Sequence, residues 1–519
     1  MKTIQDLPIL VIVIPLIFAI IIPLVGRLNR LLPWIIATTV TFFCFLISIS
    51  LLITVLDTGT ISYWLGGWEP PWGIEYVIDY LNAFVLVVVS FIAFIVSFYS
   101  RRSVEMEINE DKIPTFYCIY ILFITGLMGV VVTGDIFNIY VFLEILSLAG
   151  YALIAIGRKR EALIASYNYL ILGTIAATFI LIGIGYIYMA TGTLNIGDLQ
   201  ERLPALYRSK MVLAALAFFT VGLSLKLALF PLHTWLPGAY TYAPTVVSSI
   251  MAATATKVGA YAMLRIMFSV FKIEFDIHFV PIANILIVIS SIAIIAGSVL
   301  AIVQTNLKMM LAYSSIGQIG YIVLGAVLAN QVAMTGSIMH ILNHALMKGA
   351  LFMVVGCVVY KTGIEDISGL RGMGKKMPFT MAVFTIAGLS MMGVPLTVGF
   401  VSKWYIAIGA LNADLWHLIP VIIIGSLLSA VYFWRIIANI YFPEELPEHE
   451  LQNTDGGAKI PDHEPKDINH HPVIHDTYSE APWSMLAPTM ALAVLCIVFG
   501  ITATSPISIA AKAAVMLLQ

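Results

Sequence analysis

Long apolar runs separated by short polar stretches occupy almost the whole chain. A helix needs about 20 apolar residues to cross a bilayer, and by this measure the pattern predicts about fourteen spans. The predicted spans are 7–25, 33–56, 79–99, 114–133, 135–157, 162–190, 211–237, 242–270, 278–304, 308–328, 332–360, 378–411, 416–442 and 483–503. We therefore expect an all-α polytopic membrane protein.

The composition supports this class. The 519 residues are 60% hydrophobic and only 11% charged, whereas a soluble domain carries about 25% charged residues. The formal net charge of −2 indicates no nucleic-acid partner. The first apolar run, Leu7 to Val25, ends at Gly26-Arg27 without a small-residue cleavage pattern, so we expect a retained helix and not a signal peptide.

Neither cysteines nor glycine motifs predict a cofactor. The four cysteines are far apart and lack C-x-x-C spacing, which argues against a disulfide framework or an iron–sulfur site. No phosphate-binding loop occurs, and the glycines of 369–374 have the wrong spacing for a dinucleotide site. We expect no cofactor and no metal.

Lysine and arginine are distributed unevenly between alternate loops, which predicts the orientation. The rich set holds Arg27, Arg30, Arg101, Arg102, Lys112, Arg158, Lys159, Arg160, Lys308, Lys361, Arg371, Lys375 and Lys376. The opposite set holds mainly Lys2, Arg202, Arg208, Lys210 and Lys272. This bias predicts that the loops rich in lysine and arginine face the cytoplasm and that both termini lie outside. An even number of spans also requires both termini on one side of the membrane.

A faint internal repeat predicts the domain organisation. Pro231-Leu232 and Pro395-Leu396 lie 164 residues apart, in the seventh and twelfth spans. We expect two inverted five-helix units with broken seventh and twelfth helices, the pattern that points to a transporter site. The predicted parts are a three-helix region 1–113, repeats 114–271 and 278–442, a soluble loop 443–482 and a C-terminal helix 483–519.

The soluble loop is acidic and carries five histidines, at 449, 463, 470, 471 and 475. Metal binding or pH sensing is one interpretation. No ligand spacing repeats, so a solvated linker or docking loop is the interpretation that we favour.

The stretch from Thr220 to Arg265 combines two unusual features. It is apolar, yet it carries Lys226 and Lys257 and is interrupted by prolines. A lysine at mid-bilayer depth costs about 2.5–3.5 kcal/mol on insertion scales, which makes it a functional hypothesis. A broken helix at that depth is tolerated only against protein or a wet cavity. Together they predict a polar path inside the membrane.

Further ionisable residues lie well inside apolar spans. Glu144 and Lys403 are isolated, whereas His340, His344 and Lys348 recur every fourth residue and so share one helix face. Because burial disfavours the charged form of a lysine, a Glu144–Lys226 ion pair would hold its proton and release it when the pair separates. The row predicts a proton wire, and one charge crossing 100 mV is worth about 2.3 kcal/mol.

Each residue also has a simpler interpretation. Glu144 and Lys226 can form a purely structural pair, Lys403 can extend to the membrane interface, and His340 and His344 can be packing residues. His233, beside the break, is either a relay member or a cap for freed carbonyls. We expect Arg265 to be an interface anchor.

Four blocks resemble one known family, the proton-translocating antiporter-like subunits. These include Mrp cation/proton antiporter subunits, chains L, M and N of NADH:quinone oxidoreductase, and the equivalent subunits of membrane-bound hydrogenases. The blocks are DIFNIYVFLEILSLAGYALIA (135–155), KLALFPLHTWLPGAYTYAPTVVSSIMAATATKVGAY (226–261), HILNHALMKGALF (340–352) and GVPLTVGFVSKW (393–404). The resemblance covers about residues 75–440.

The resemblance implies a role for each of these residues. Glu144 and Lys226 are the coupling pair and Lys257 the relay. His344 and Lys348 continue a central hydrophilic axis that ends at Lys403. It also implies a multi-pass protein of a prokaryotic cell (inner) membrane with other membrane subunits as partners.

Two features narrow the branch. M-type chains look to have glutamate at the position of Lys403, which argues against the M type. The chain ends at Gln519 soon after the last predicted span, so we expect no long lateral helix of the L type. A chain of the N type, of the Mrp D type or of the hydrogenase type remains, and the AVYFWRIIANIYF stretch at 430–442 favours the last two.

The leading hypothesis is proton translocation as one subunit of a cation/proton antiporter or of a redox-driven complex, with Na⁺ transport left open. No redox site is predicted in this chain, so any electron chemistry belongs to partners. The alternatives are a stand-alone secondary transporter of an organic anion, which would need pocket motifs that are missing, and a structural subunit with an inactive channel.

Overall fold

The computed structural model describes residues 6–272, 282–442 and 479–519. It shows a helical bundle. The helices of the first stretch are α1 Leu7–Gly26, α2 Leu32–Thr58, α3 Tyr80–Glu107, α4 Ile113–Val132, α5 Ile136–Ala155, α6 Arg160–Thr191, α7 Ile196–Arg202, α8 Lys210–Leu227, α9 Trp235–Tyr242, α10 Thr245–Ile250 and α11 Thr256–Leu264. The later helices are α12 Ile282–Ile302, α13 Leu307–Val327, α14 Gln331–Thr362, α15 Met373–Lys376, α16 Pro378–Met392, α17 Val398–Asn412, α18 Leu418–Tyr441, α19 Trp483–Ile501 and α20 Thr504–Leu518.

Within these residues, twelve helices are long and apolar enough to cross a membrane. Each overlaps one of the predicted spans, ten of them to within a few residues at both ends, whereas Tyr80–Glu107 ends eight residues later than predicted and Lys210–Leu227 ten residues earlier. The count of fourteen stays a prediction, because the predicted eighth and twelfth spans are not single regular helices.

The predicted interruptions are present. The seventh span is divided into α8 and α9, and Ala228 has a left-handed backbone (φ 60°) directly after α8. The twelfth span is divided into α16 and α17, with left-handed Gly393 (φ 87°) and Leu396 (φ 71°) between them. The eighth span is helical from Thr245 to Val270 but changes pitch in two π-helical segments, Met251–Ala255 and Arg265–Val270.

Two elements were not predicted. Strands β1 Ile61–Trp64 and β2 Glu75–Ile78 form an antiparallel hairpin in which Ile61 pairs with Ile78. The predicted single C-terminal helix is instead two, α19 and α20, and α20 packs against α3 and α14. The strands were not predicted because an apolar/polar alternation over only four residues is too short a signal to stand out between long apolar runs.

Two loop pairings share one geometry. Asp135 forms a β-bridge with Asn195, and Asn306 forms one with Asp366, so both partners recur after 171 residues (135 to 306 and 195 to 366). Asp135 and Asn306 also cap the helices that follow them, α5 and α13. Such caps satisfy backbone N–H groups that the first helical turn leaves free.

The two pairings lie at opposite ends of the bundle. Asp135 stands at the start of α5, whereas Lys159 follows its end and pairs with Glu365. The Glu365 carbonyl in turn accepts a hydrogen bond from the Leu307 amide, beside the second bridge. We call the end with the hairpin and Asp135 the first end, and the end with Lys159 and Asn306 the second end.

Helix α14 forms the centre of the bundle. Every residue of its most apolar stretch is buried, and it packs against α3, α10, α13, α16, α17, α19 and α20. By contrast, fewer than half of the residues in the apolar stretches of α6 and α12 are buried. The predicted His340–His344–Lys348 row therefore lies in the interior, away from lipid.

The predicted soluble loop 443–482 lies almost wholly outside the described residues, as do its five histidines. Its last residues are described. Glu480 accepts hydrogen bonds from the Phe379 and Thr380 amides at 2.5 and 3.4 Å. It thus caps the first turn of α16, which begins at a proline.

Candidate functional site

The predicted ion pair between α5 and α8 is formed. The Nζ of Lys226 lies 3.0 Å from the Oε1 of Glu144 and donates a second hydrogen bond to the Ser147 hydroxyl at 2.7 Å. The Lys226 side chain is 6% exposed and that of Glu144 is 26% exposed. Because Ser147 lies one turn beyond Glu144, α5 presents an acid and a hydroxyl to a single amine.

Lys257 is buried without an acidic partner among the described residues. It follows the π-helical segment Met251–Ala255, and its amine donates a hydrogen bond to the Ala252 carbonyl in that segment. Such π-helical insertions occur often at functional sites. Gly259 lets this helix approach α8 closely, since a Cβ there would lie 3.2 Å from the Leu227 side chain.

The α14 row stacks as the spacing predicts. The rings of His340 and His344 are parallel to within 23°, with centroids 6.0 Å apart. His340 contacts the Ser402 hydroxyl at 2.8 Å and the Gln318 amide oxygen at 3.1 Å. Both ring nitrogens of His344 are buried and have no hydrogen-bond partner within the described ranges.

The two lysines that continue this row are also held by polar groups. Lys348 donates to the Leu311 carbonyl at 2.6 Å and to the Ser314 hydroxyl. Lys403, on α17, donates to the Met391 and Met392 carbonyls at 2.9 and 3.2 Å. These carbonyls belong to the end of α16, so Lys403 satisfies acceptors that the broken helix leaves free.

Lys403 is 4% exposed, and this excludes the alternative in which it extends to the interface. Its amine also contacts the Ser426 hydroxyl at 3.2 Å and lies 4.9 Å from the centre of the Tyr321 ring. The Tyr321 ring lies in turn 5.7 Å from that of His340. Tyr321 therefore connects the α14 row to Lys403.

The structure gathers seven of the eight predicted residues into two groups. The π-helical segment that precedes Lys257 packs against α14, which places Lys257 on the side of the His344–Lys348 row, and His340 and Lys403 extend that group. The Glu144–Lys226 pair is the other group, and no hydrogen bond joins it to Lys257 in the described part of the chain.

His233 stands apart from both groups. Its ring stacks on Phe230 at 5.1 Å between centroids and meets Tyr313 edge-on at 6.4 Å. It contacts neither lysine of the stretch 220–265 by a hydrogen bond within the described residues. Within the described residues no hydrogen bond joins His233 to the other predicted site residues, so its relay role stays a prediction.

Neutral polar residues, which the sequence did not single out, surround the charges. Their shared signal is a hydroxyl or amide side chain inside an apolar span, a type that helices in membranes tolerate well. These residues are Ser147, Ser314, Gln318, Tyr321, Ser402 and Ser426.

Two basic residues were misassigned. Arg265, expected to anchor at the interface, is 7% exposed and pairs with Asp79 at 2.8 Å. Lys308, counted as a loop residue, is buried in α13 and donates to the Ala243 carbonyl at 3.1 Å. In both cases a partner distant in sequence decides the burial.

Amines, imidazoles and one carboxylate arranged in this way can support proton transfer. In the described ranges, no group of three or more His, Cys, Asp or Glu side chains is arranged to hold a metal ion. Buried polar atoms such as those of His344 are normally bonded to protein or to ordered water. Water between these groups would complete a hydrogen-bonded path.

Comparison with known proteins gives consistent matches. The family model described as "NADH:quinone oxidoreductase/Mrp antiporter, TM" matches residues 133–429. The chain is 41% identical to the N subunit of the NADH-quinone oxidoreductase of Desulforudis audaxviator, over 95% of both chains. It is 30% identical to the D subunit of the Na⁺/H⁺ antiporter of Bacillus subtilis, over 84% of this chain and 87% of the relative.

A solved structure matches over the whole chain. A chain of the Mrp complex from a Dietzia species superposes with a TM-score of 0.88 and 25% sequence identity, over 100% of this chain and 98% of that chain. The match extends over the whole sequence, so the bundle is that of membrane subunits in multi-subunit complexes.

Proposed function

The chain belongs to the NADH:quinone oxidoreductase/Mrp antiporter membrane family, and we propose that it translocates protons as one subunit of a multi-subunit complex. The complex is either a cation/proton antiporter or a redox-driven ion pump. The relatives include one of each kind, from a Na⁺/H⁺ antiporter and from an NADH-quinone oxidoreductase. The chain is a multi-pass integral membrane protein, and its partners are the other membrane subunits.

The Glu144–Lys226 pair is the observation that carries this proposal. Its 3.0 Å contact is buried on the lysine side and partly open on the carboxylate side. A buried amine keeps its proton while a carboxylate is beside it and loses that preference when the carboxylate moves away. A change that reaches Glu144 therefore controls whether Lys226 holds or releases a proton.

The second group supplies the onward path. Lys257 lies on the side of the His344–Lys348 row, and Tyr321 connects His340 to Lys403. These groups have no carboxylate among them, so a proton on one disfavours a proton on the next. Because like charges repel, the arrival of one proton at Lys257 favours the release of another further along the row.

The two bridges separated by 171 residues support the two-repeat organisation. Asp135–Asn195 and Asn306–Asp366 place the same contact at opposite ends of the bundle, as inverted units require. In this proposal the units are 114–271 and 278–442, after a three-helix region at 1–113. The interruptions after α8 and α16 occupy matching positions in them.

We assign the second end of the bundle to the cytoplasm, with both chain termini outside, in the inner membrane of a prokaryotic cell. The positive-inside rule favours this orientation. Ion pairs Arg30–Glu110 and Lys159–Glu365 join loops of the basic set at that end. At the first end, Asn195 donates to Glu75 of the hairpin at 2.8 Å.

An organic-anion transporter is not favoured. Among the described residues, the buried amines of the site already donate to carbonyls, hydroxyls or Glu144, so none is held open for an anionic substrate.

The test is ΔpH formation by membrane vesicles that contain the complete complex. Glu144→Ala and Lys226→Ala should reduce proton translocation to the level of vesicles without the complex, because each change removes the coupled pair. Lys210→Ala is the matched control, since Lys210 is exposed at the other end of α8 and its loss should leave transport unchanged. Normal ΔpH formation by assembled Glu144→Ala or Lys226→Ala complexes would contradict the proposal.

The same vesicles distinguish the two kinds of complex. An imposed Na⁺ gradient should generate ΔpH if the complex is an antiporter. An oxidisable substrate should do so if it is a redox-driven pump.

A further inference from the structure

A cavity at the first end of the bundle is not part of the proton path described above. It has a volume of about 340 Å³ and is lined by β2, the start of α3, α7 and the π-helical end of the helix that carries Lys257. Exposed residues such as Thr60 and Gly197 form part of its wall, so it reaches the surface. We call it the outer cavity. A water molecule occupies about 30 Å³, so several waters fit in it.

A buried ion pair lies at the inner side of the outer cavity. The two Nη atoms of Arg265 contact the two carboxylate oxygens of Asp79 at 2.8 and 3.0 Å. Asp79 is 4% exposed and also accepts hydrogen bonds from the Leu81 and Asn82 amides at 3.0 and 3.1 Å. The carboxylate is thus held as a helix cap, and a bidentate pair fixes the guanidinium against it.

Arg265 separates the outer cavity from Lys257. Lys257, Tyr261 and Arg265 are spaced by four residues and share one helix face. The Arg265 guanidinium lies 5.5 Å from the centre of the Tyr261 ring, and its Nε donates to the Tyr261 hydroxyl at 3.4 Å. On its other side Arg265 donates to Ser269, in the cavity wall, at 3.2 Å.

We propose that the Asp79–Arg265 pair is an outer gate that closes the way from the outer cavity to Lys257 against cations. A guanidinium does not deprotonate in proteins, so Arg265 is a fixed positive charge and not a proton carrier. While the pair is intact, Arg265 neutralises the Asp79 carboxylate, so the buried pair offers a cation neither a proton acceptor nor a free anionic ligand. Lys257 then exchanges protons only with the interior row. This inference rests on the proposed function, because it takes Lys257 to be part of the path.

Thiol labelling tests the gate directly. Tyr261→Cys places a thiol on the inner side of Arg265, and Gln200→Cys places one in the cavity wall. The assembled complex in sealed vesicles is treated with a small cationic, membrane-impermeant thiol reagent. Gln200→Cys should react and so identify the accessible side, whereas Tyr261→Cys should be protected. The unsubstituted complex gives the background from the four native cysteines.

Removing the charge should open the way. In the Tyr261→Cys background, Arg265→Gln should raise the labelling rate by about tenfold, equivalent to about 1.4 kcal/mol. The cationic reagent should gain more than a neutral one of the same size. Arg265→Lys keeps the charge and should keep the protection. A gain equal for both reagents would indicate a packing effect and overturn the gate.

Other outcomes also overturn the proposal. Labelling of Tyr261→Cys at the rate of Gln200→Cys would show that Arg265 is no barrier, as would continued protection after Arg265→Gln. If Arg265→Gln does not accumulate, labelling of Tyr261→Cys at the rate of Gln200→Cys with Arg265 in place still decides against the gate. The Arg265→Gln complex should dissipate an imposed ΔpH faster than the unsubstituted complex.

Labelling does not require transport, so the two proposals fail separately. Protection that depends on Arg265 in a complex without proton transport would overturn the proposed function and leave the gate. If Glu144→Ala abolishes proton transport as expected but Tyr261→Cys is labelled freely, the proposed function stands and the gate is overturned.

Discussion

At the residue scale, His340 and His344 are adjacent on α14 and yet have different environments. His340 has a partner for each ring nitrogen, Ser402 and Gln318, whereas His344 has none among the described residues. The cost of removing a buried polar group comes mainly from the partners that it leaves unpaired. The two histidines should therefore respond differently to the same substitution.

We expect His340→Leu to destabilise the protein by about 1–3 kcal/mol, because it leaves a hydroxyl and an amide oxygen unpaired. His344→Leu leaves no protein group unpaired and should hardly change stability, but it removes a proton-accepting group between Lys257 and Lys348. The melting temperature of the purified protein and ΔpH formation in vesicles measure the two effects.

His344→Leu is the matched control for His340→Leu in the stability measurement. An equal fall in melting temperature for both would show that the hydrogen bonds of His340 are not what distinguishes them. Unchanged ΔpH formation by His344→Leu would remove His344 from the path.

At the element scale, the interruption between α16 and α17 depends on close backbone approach. A Cβ at Gly399 would lie 1.8 Å from the Ser390 carbonyl oxygen, so α17 begins against the end of α16 only with glycine there. Lys403 lies one turn further along α17 and reaches the Met391 and Met392 carbonyls. The helix break and the position of this lysine are therefore one structural feature.

Gly399→Ala should push α17 away from α16, lower stability by about 1–3 kcal/mol as overpacking does, and reduce ΔpH formation. Gly185→Ala in α6 is the matched control, because no atom lies within 4 Å of a Cβ at that position. Alanine there should be neutral or slightly stabilising in a helix. Unchanged ΔpH formation by Gly399→Ala would show that the role of Lys403 does not depend on the close approach of α17 to the end of α16.

At the scale of the whole molecule, the two ends of the bundle differ in what holds their loops together. The second end has ion pairs between basic and acidic loop residues. The first end has the hairpin, the outer cavity and the Asp79–Arg265 pair. This asymmetry leads to a prediction about which end faces the cytoplasm.

Single cysteines report the orientation. Asn29→Cys, between α1 and α2, should react with an impermeant maleimide only in inside-out vesicles, and Trp72→Cys, in the hairpin loop, only in right-side-out vesicles. Both positions are exposed, so each is the control for the other. Reversed labelling would invert the proposed topology without affecting the site.

The sequence determined the apolar spans, because the length and hydrophobicity that a bilayer demands are properties of contiguous residues. It also determined the helix interruptions, since proline and glycine act locally. The spacing of His340, His344 and Lys348 was enough to place them on one face, because helical periodicity is local as well.

Only the tertiary structure decided which charges find partners. Arg265 and Asp79 are 186 residues apart, and Lys308 reaches a carbonyl 65 residues away, so no local pattern marks either residue as buried. Similarly, the hydroxyl and amide groups around Lys226, His340, Lys348 and Lys403 come from other helices or other turns. Whether a charge in an apolar span is paired, bonded to a carbonyl or left to water depends on helix packing, which brings together residues that the sequence keeps apart.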